Sequence, residues 1–179
     1  TVHEIYSDKT NHHVVYEHMP RSLLEAIGHP YLNRQRLAAI IGQVVEALVY
    51  LEKRGLQHGH LSCSCILLHP TGRVKLNGQE HCRLLRSKKD VADLGYTMME
   101  LMQGYAKEGD NVGLDNPEPW DSDVIGFLSA TTSASCASEL SEHPFLRSWQ
   151  KDKLRGLISL VMTWTRQDYE YLGRYDRDG

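Results

Sequence analysis

Between residues 33 and 54, apolar residues recur at steps of three and four, the spacing that places them on one face of an α-helix. The stripe consists of Leu37, Ile40, Ile41, Val44, Leu48 and Leu51. Asn33 is a favourable N-cap residue, and Gly55 stands where many helices end in a left-handed residue. Because much of this surface is apolar, we expect the helix to lie at the centre of the fold.

A second apolar stripe lies near the end of the chain, between residues 151 and 172, with Trp149 beside it. It includes Met162 and Thr165 and predicts an amphipathic helix. This helix either packs back on the rest of the chain or presents a surface to a protein partner or to a second copy. The residues predicted for such a surface are Leu154, Leu157, Ile158, Val161 and Trp164.

Shorter patterns predict strands. Residues 2–6 and 13–17 read as a hairpin joined by the polar stretch 7–11. Ser22 and Glu25 have the spacing of a capping box and predict a short helix. Two apolar runs, 66–68 and 74–76, flank a turn. The predicted fold class is mainly α (α+β), with a short N-terminal β-hairpin and an extra C-terminal helix.

Composition is ordinary for one globular domain: 179 residues, of which 41% are hydrophobic and 24% charged. The net charge of -3 gives no electrostatic case for binding nucleic acid or a membrane surface. The start of the sequence lacks signal-peptide character. The four cysteines form no spaced framework, so we expect reduced thiols and an intracellular, cytoplasmic or nuclear location.

The stretch 58–68, HGHLSCSCILL, follows the central helix and precedes a turn and a short apolar run. It resembles the catalytic loop of the protein-kinase family, written H-R-D-L-x-x-x-N. His58, Leu61 and the run 66–68 match that frame. Gly59 stands at the position of the Arg, His60 at that of the catalytic Asp and Cys65 at that of the metal-binding Asn.

The family's second metal-binding Asp belongs to a D-F-G sequence after the next strand. In that register this chain has Gly78, Gln79 and Glu80. Magnesium prefers oxygen ligands, whereas the thiol of Cys65 is soft. The resemblance therefore implies a degenerate kinase, or pseudokinase, that lacks the base and both metal ligands. Glu80 could bind magnesium only after a rearrangement.

Residues 90–104 resemble the family helix D-x-W-S-L-G-x-x-x-x-E-L-x-x-G, and residues 137–146 resemble its closing A-x-E-L-x-x-H-P-F-L. On this match Asp90 has the structural role of bonding the backbone of the catalytic loop. The resemblance implies a kinase C-terminal lobe. It divides the chain into a truncated kinase-like domain, residues 1–146 (hinge plus C-lobe), and a helical extension packed on it, residues 147–179.

The match also places Glu17, His18 and Met19 at the hinge, whose backbone meets adenine in the family. The family's Gly-rich loop and its Lys–Glu pair would lie upstream of Thr1, and we expect no bound cofactor. The activation segment is reduced to residues 81–89 without A-P-E. Its basic residues either contact an acidic partner or form a solvated loop. They are Arg83, Arg86, Lys88 and Lys89.

The same loop permits a different interpretation. His58, His60, Cys63 and Cys65 are four possible zinc ligands, each pair spaced i, i+2. This spacing is uncommon for zinc. The alternative is that His58 packs in the core and that the cysteines fill small buried spaces. We expect no bound metal. If the chain does bind one, these four residues are the predicted ligands.

The function implied by the resemblance is a catalytically inactive module that acts as a protein-binding scaffold or as an allosteric partner. One alternative is a nucleotide-binding enzyme with unconventional phosphotransfer through His60 or Glu80. Another is a metal-binding module at the degenerate loop. Magnesium-dependent turnover of ATP and metal analysis, respectively, would separate them from a scaffold.

Overall fold

The central helix α1 spans Arg34–Glu52 in the computed structural model, which describes residues 2–107, 112–161 and 163. The Asn33 side chain accepts a hydrogen bond of 3.1 Å from the backbone N–H of Arg36, satisfying a free donor at the helix start. Gly55 follows the helix with φ +68°. Most of α1 between Leu37 and Leu48 is buried. The predicted central helix is therefore confirmed.

Three further helices pack around α1: α2 (Lys89–Gln103), α3 (Ser122–Ser133) and α4 (Ala137–Ser141). Helix α2 ends at Gly104, whose φ of +85° allows its N–H to bond the Glu100 carbonyl at 2.9 Å. Helices α2 and α3 approach closely where Gly95 faces Thr131, leaving no room for a side chain. This contact holds α3 against the middle of α2.

The strands of the described residues form three small antiparallel sheets. Strand β1 (Val2–Ser7) pairs with β2 (His12–Tyr16) in a fully exposed hairpin. Strands β3 (Arg21–Ser22), β5 (Ile66–Leu68) and β6 (Val74–Leu76) form a sheet in the order β3-β5-β6. Strand β4 (Leu56–Gln57) pairs with β7 (Arg83–Leu84). The fold is thus an α+β mixture with more strands than predicted.

The helix predicted after Ser22 is a single 3₁₀ turn, Leu23–Ala26. The Ser22 N–H donates to Oε1 of Glu25 at 3.0 Å, as the capping-box spacing indicated. The chain then reverses at Gly28, which has φ +72° and lies against Gly104. The turn therefore stays short and delivers the chain to the start of α1.

The C-terminal stripe lies in the core of the described chain. A 3₁₀ turn, Lys151–Leu154, is followed by helical residues 155–161. The stripe residues Leu154, Leu157, Ile158 and Val161 are fully buried, so the partner surface predicted from them is wrong for these four side chains. They belong to the same hydrophobic core as α1, which the turn Lys151–Leu154 contacts directly. Trp164 and the rest of the predicted helix to residue 172 lie outside the described residues.

None of the described helices combines the length and apolar character that a membrane crossing requires. The four cysteines are free thiols. A continuous hydrophobic core links α1, α2, α3 and the C-terminal segment. Because this core surrounds the end of α1 and the start of α2, it fixes the positions of the two loops that run between them.

Gly42, in the middle of α1, gives a test of this packing. An added Cβ would lie within 2.5 Å of the Trp149 ring, so we expect Gly42→Ala to push the indole away and lower the free energy of unfolding. The matched control is Gly156→Ala, whose Cβ would meet only Arg36 at an ordinary 3.6 Å. We expect the two variants to differ by about 2 kcal/mol in urea unfolding followed by circular dichroism, since overpacking outweighs the helix preference of Ala. Equal effects would contradict the close contact.

Candidate functional site

The candidate site consists of two adjacent loops, the 58–65 loop and the 77–82 loop, and the start of α2. Asp90, in the first turn of α2, is only 9% exposed. Its Oδ2 accepts from the His58 N–H at 2.6 Å, and its Oδ1 accepts from the Gly59 N–H at 2.7 Å. Both carboxylate oxygens therefore hold the loop backbone in place. Such charge-assisted bonds are about twice as strong as neutral ones.

The His58 ring ties the two loops together. Its Nε2–H donates to the carbonyl oxygen of Asn77 at 2.7 Å. The residue is 1% exposed, and among the described residues no hydrogen-bond partner reaches Nδ1. The ring thus lies inside the junction of the loops as a structural link. His58 is placed by its backbone bond to Asp90 and its side-chain bond to Asn77.

Gly59 occupies a crowded left-handed position. Its φ is +78°, and an added Cβ would lie 2.9 Å from Nε of Arg83. Both the backbone and the Arg83 guanidinium therefore favour glycine here. The positive charge beside this loop thus comes from Arg83, on β7, and not from residue 59.

The 77–82 loop also turns at a left-handed glycine. Gly78 has φ +86°, and an added Cβ would lie 3.3 Å from the His81 ring and 3.7 Å from the His58 ring. Nε2 of Gln79 donates to the Leu76 carbonyl at 2.6 Å. The rings of His60 and His81 contact each other at a tilt of 47°, with centroids 4.9 Å apart. Imidazole rings therefore line the space around Gly78.

Glu80 is the one acidic residue in the sequence of the two loops. Its side chain is 72% exposed and lies 3.8 Å from Nε2 of His81. It points to solvent, and Asp90 already uses both oxygens on the loop backbone. This geometry does not gather carboxylates around a metal ion. It leaves His60, Glu80 and His81 as exposed groups that could accept a proton.

The two loop cysteines face different surroundings. Cys63 is buried, and its Sγ lies 3.9 Å from the Thr97 carbonyl. Burial, reinforced by the nearby Glu100 carboxylate, raises the pKa of the Cys63 thiol far above its usual value. Cys65 lies near the hydroxyls of Ser62 and Ser64, with Ser62 Oγ at 3.6 Å from its Sγ. The first thiol is thus a core residue and poor metal ligand.

The zinc arrangement does not form in the described chain. His58 bonds Asn77, the His60 ring contacts the His81 ring at a tilt, and the two cysteines lie in separate environments. Within residues 2–107, 112–161 and 163, no three His, Cys, Asp or Glu side chains lie close enough together to hold a metal ion.

The three residues predicted to form a hinge, residues 17–19, follow β2. The Glu17 carboxylate forms ion pairs with Arg73 and Lys75, on the turn before β6 and on β6 itself. The hydrogen bond to Glu17 raises the pKa of Lys75. His18 is exposed and Met19 is half-buried. The Glu17 side chain therefore anchors the exposed hairpin to the β3-β5-β6 sheet.

Gln57 is a residue of this site that the sequence analysis missed. It is 2% exposed, and its Oε1 accepts from the N–H groups of Arg86 and Ser87 at 3.0 and 3.2 Å. It thereby fixes the segment between β7 and α2. A polar residue next to His58 carries no sequence signal for this role, because its partners lie about thirty residues away.

The two hydrogen bonds from the backbone of His58 and Gly59 to the Asp90 carboxylate form a brace for the 58–65 loop. The variant Asp90→Asn tests this brace. An amide retains one acceptor oxygen but turns an N–H₂ group toward the second backbone N–H, which loses its partner in a buried place. We expect the variant to lose about 2–4 kcal/mol of unfolding free energy, the range of a broken buried charge-assisted bond. Asp93→Asn on the same helix is the control, because Asp93 bonds no backbone N–H of the loop. Among the described residues it pairs only with Lys89, whose side chain is 43% exposed, and a pair with an exposed partner contributes about 0–1 kcal/mol. Denaturant unfolding of both proteins measures the difference, and similar losses would contradict the role of Asp90.

Comparison with curated proteins finds a distant relative. The chain is 28% identical over 118 residues to cyclin-dependent kinase 12 of Drosophila melanogaster. The match covers 61% of this chain and 10% of the fly protein, so the chain spans about a tenth of that relative's length. No protein-family model matches the chain. Part of the chain is thus similar to a protein kinase at a distant level.

Proposed function

We propose that this chain is part of a kinase-like domain, corresponding to the hinge and C-terminal lobe, that has no phosphotransfer activity and acts by binding protein. It serves in this proposal as a scaffold or as an allosteric partner. The distant similarity to a cyclin-dependent kinase supports the kinase-like relationship. The activity of that whole protein is not carried over with it.

The observation that carries the proposal is the contrast between the brace and the positions around it. Asp90 holds the backbone of the 58–65 loop with both oxygens, as expected for a catalytic loop that must keep its shape. The positions that would carry the base and metal ligands hold His60, Cys65 and Gly78. A folded loop without oxygen ligands fits a structural role better than a catalytic one.

The surroundings of these positions support the same conclusion. Phosphoryl transfer depends on magnesium and positioned cations that neutralise the developing charge. Here the His58 ring is bonded to Asn77, the Gly78 backbone is in the left-handed region, and Glu80 points to solvent. An aspartate at position 78 would meet both histidine rings and an unfavourable backbone conformation. The packing around position 78 therefore disfavours the metal-binding aspartate that phosphoryl transfer uses in protein kinases.

The proposal predicts no magnesium-dependent effect of ATP. We expect the melting temperature of the chain to be unchanged up to millimolar ATP with magnesium, and no phosphate transfer to the chain or to generic protein substrates. A ligand at 100 times its Kd would add about 2.7 kcal/mol of stability, which such a melting experiment detects. An active protein kinase measured in parallel is the positive control.

Different outcomes of this experiment have different meanings. Magnesium-dependent stabilisation together with phosphate transfer would overturn the proposal and favour an enzyme that uses His60 or Glu80. Stabilisation by ATP without magnesium would assign adenine binding to the backbone of residues 17–19 and keep the absence of catalysis. No stabilisation would direct attention to surfaces that bind protein.

A further inference from the structure

A basic strip, residues 83–88, consists of β7 and the segment that connects it to α2. All six residues of the strip are exposed. Arg83, Arg86 and Lys88 supply three positive charges, and the strip contains no acidic residue. The whole chain has a net charge of -3, so positive charge is concentrated here against the overall balance.

The cations of the strip are free to pair with another molecule. Among the described residues none of the three lies in an ion pair, and Lys88 only donates a weak hydrogen bond to the Thr132 carbonyl at 3.4 Å. The neighbouring Lys89 differs, because its Nζ lies 2.6 Å from Oδ2 of Asp93. Among the described residues, Lys89 is therefore paired with a carboxylate, whereas the three cations of the strip are not.

Two leucines of the strip are also exposed. Leu84 is 62% and Leu85 is 44% exposed, although both are large apolar side chains. Each borders a different hollow. Leu84 lines one of about 460 Å³ together with Arg83 and Arg86, and Leu85 lines one of about 310 Å³.

The second hollow is mainly apolar. Its walls include Leu48, Leu56, Val91 and Ala137, and Lys88 stands at its edge. Glu52 and Asp90 also contribute, but Glu52 accepts two hydrogen bonds from Ser138 and Asp90 holds the 58–65 loop. The hollow can therefore hold an apolar side chain next to Lys88, a cation that forms no ion pair among the described residues. Its size is at the lower end of ligand pockets.

The strip is held rigid before any partner arrives. The N–H of Leu85 bonds the Gly55 carbonyl at 2.8 Å, and Gln57 bonds the N–H groups of Arg86 and Ser87. Because hydrogen-bonded and non-bonded pairs alternate in an antiparallel ladder, the N–H and C=O of Leu84 point away from β4. An extended peptide can use such groups, and a preformed surface lowers the entropy that binding costs.

We propose that the strip at residues 83–88 binds an acidic peptide segment of a partner protein in an extended conformation. Carboxylates of the peptide pair with Arg83, Arg86 and Lys88, and one large apolar side chain occupies the hollow beside Leu85. The inference rests on the proposed protein-binding function and names the chemistry of its partner.

Charge complementarity favours this occupant over nucleic acid or a lipid surface. Nucleic-acid sites of useful affinity neutralise several phosphates, and polybasic membrane sites use about four to eight cations. Three exposed cations, of which Lys88 lines the apolar hollow, on a chain of net charge -3, match a short acidic segment with an apolar anchor better.

The test uses a fluorescein-labelled peptide with a central Phe flanked by Glu and Ser, and measures its binding by fluorescence anisotropy. The variant Arg86→Glu/Lys88→Glu changes the charge of the strip. Lys151→Glu/Lys153→Glu is the matched control, because it makes the same change in net charge on the exposed turn before the C-terminal helical segment. We expect the first variant to weaken binding at least about tenfold and the control to change it less than about twofold.

A double-mutant cycle tests the apolar hollow beside Leu85. Replacement of the peptide Phe by Ala is combined with Leu85→Ala, and with Leu84→Ala as the matched control on the other hollow. We expect the two losses to be non-additive for Leu85 and additive for Leu84, because coupling requires contact.

Affinity should fall with added salt for the Glu peptide and not for its Gln counterpart. Circular dichroism and melting of each variant verify that it is folded.

Several outcomes would overturn the inference: no binding of the Glu peptide by the unchanged chain, equal weakening by both charge variants, or coupling to Leu84 alone. Preferential binding of a single-stranded oligonucleotide would overturn it in favour of nucleic acid. Self-association that Arg86→Glu/Lys88→Glu abolishes would replace the partner by a second copy. Each is independent of the ATP experiment, so magnesium-dependent phosphotransfer would refute the proposed function while peptide binding still stood.

Discussion

The bond between the Asp90 carboxylate and two consecutive backbone N–H groups is the constraint on which the site depends. His58 and Gly59 follow β4, and Asp90 lies in the first turn of α2, so one buried carboxylate joins the end of one core helix to the start of another. Burying a charge is costly unless it is fully hydrogen-bonded, and here both oxygens are used. Once the loop is fixed in this way, the His58 ring can reach Asn77 and lock the second loop beside it.

The two left-handed glycines follow from that arrangement. Gly59 must pass under Arg83 while its N–H points to Asp90, and Gly78 must turn between the His58 and His81 rings. At both places a side chain would meet a neighbour and an unfavourable φ. The loops therefore pack closely at two positions where a side chain would not fit. The Asp90 carboxylate holds the 58–65 loop through backbone N–H groups, so this contact does not depend on the side chains at positions 60 and 65.

Periodic patterns predicted the long elements, and single-residue signals predicted some of their ends. The α1 stripe, its Asn33 cap and the strands at residues 66–68 and 74–76 appear where expected. The two-residue strands β3, β4 and β7 were missed because they are too short to show alternation. The C-terminal stripe predicted which side chains form an apolar face, but not whether that face packs on the core or on a partner. An amphipathic pattern is the same in both cases. Gln57 was missed for a related reason, since its partners are brought near only by the fold.

The distribution of charge connects the inner structure to the proposed role. Inside the described chain, Asp90 neutralises backbone dipoles, Glu17 pairs with two cations and Glu52 holds the start of α4. These carboxylates are directed inward. The cations of residues 83–88 are instead left exposed by a backbone that Gln57 and Gly55 hold rigid. A rigid surface with unpaired charge loses little entropy on binding and selects the sign of its partner. Residues 83–88 therefore have the physical properties of the recognition surface that we propose.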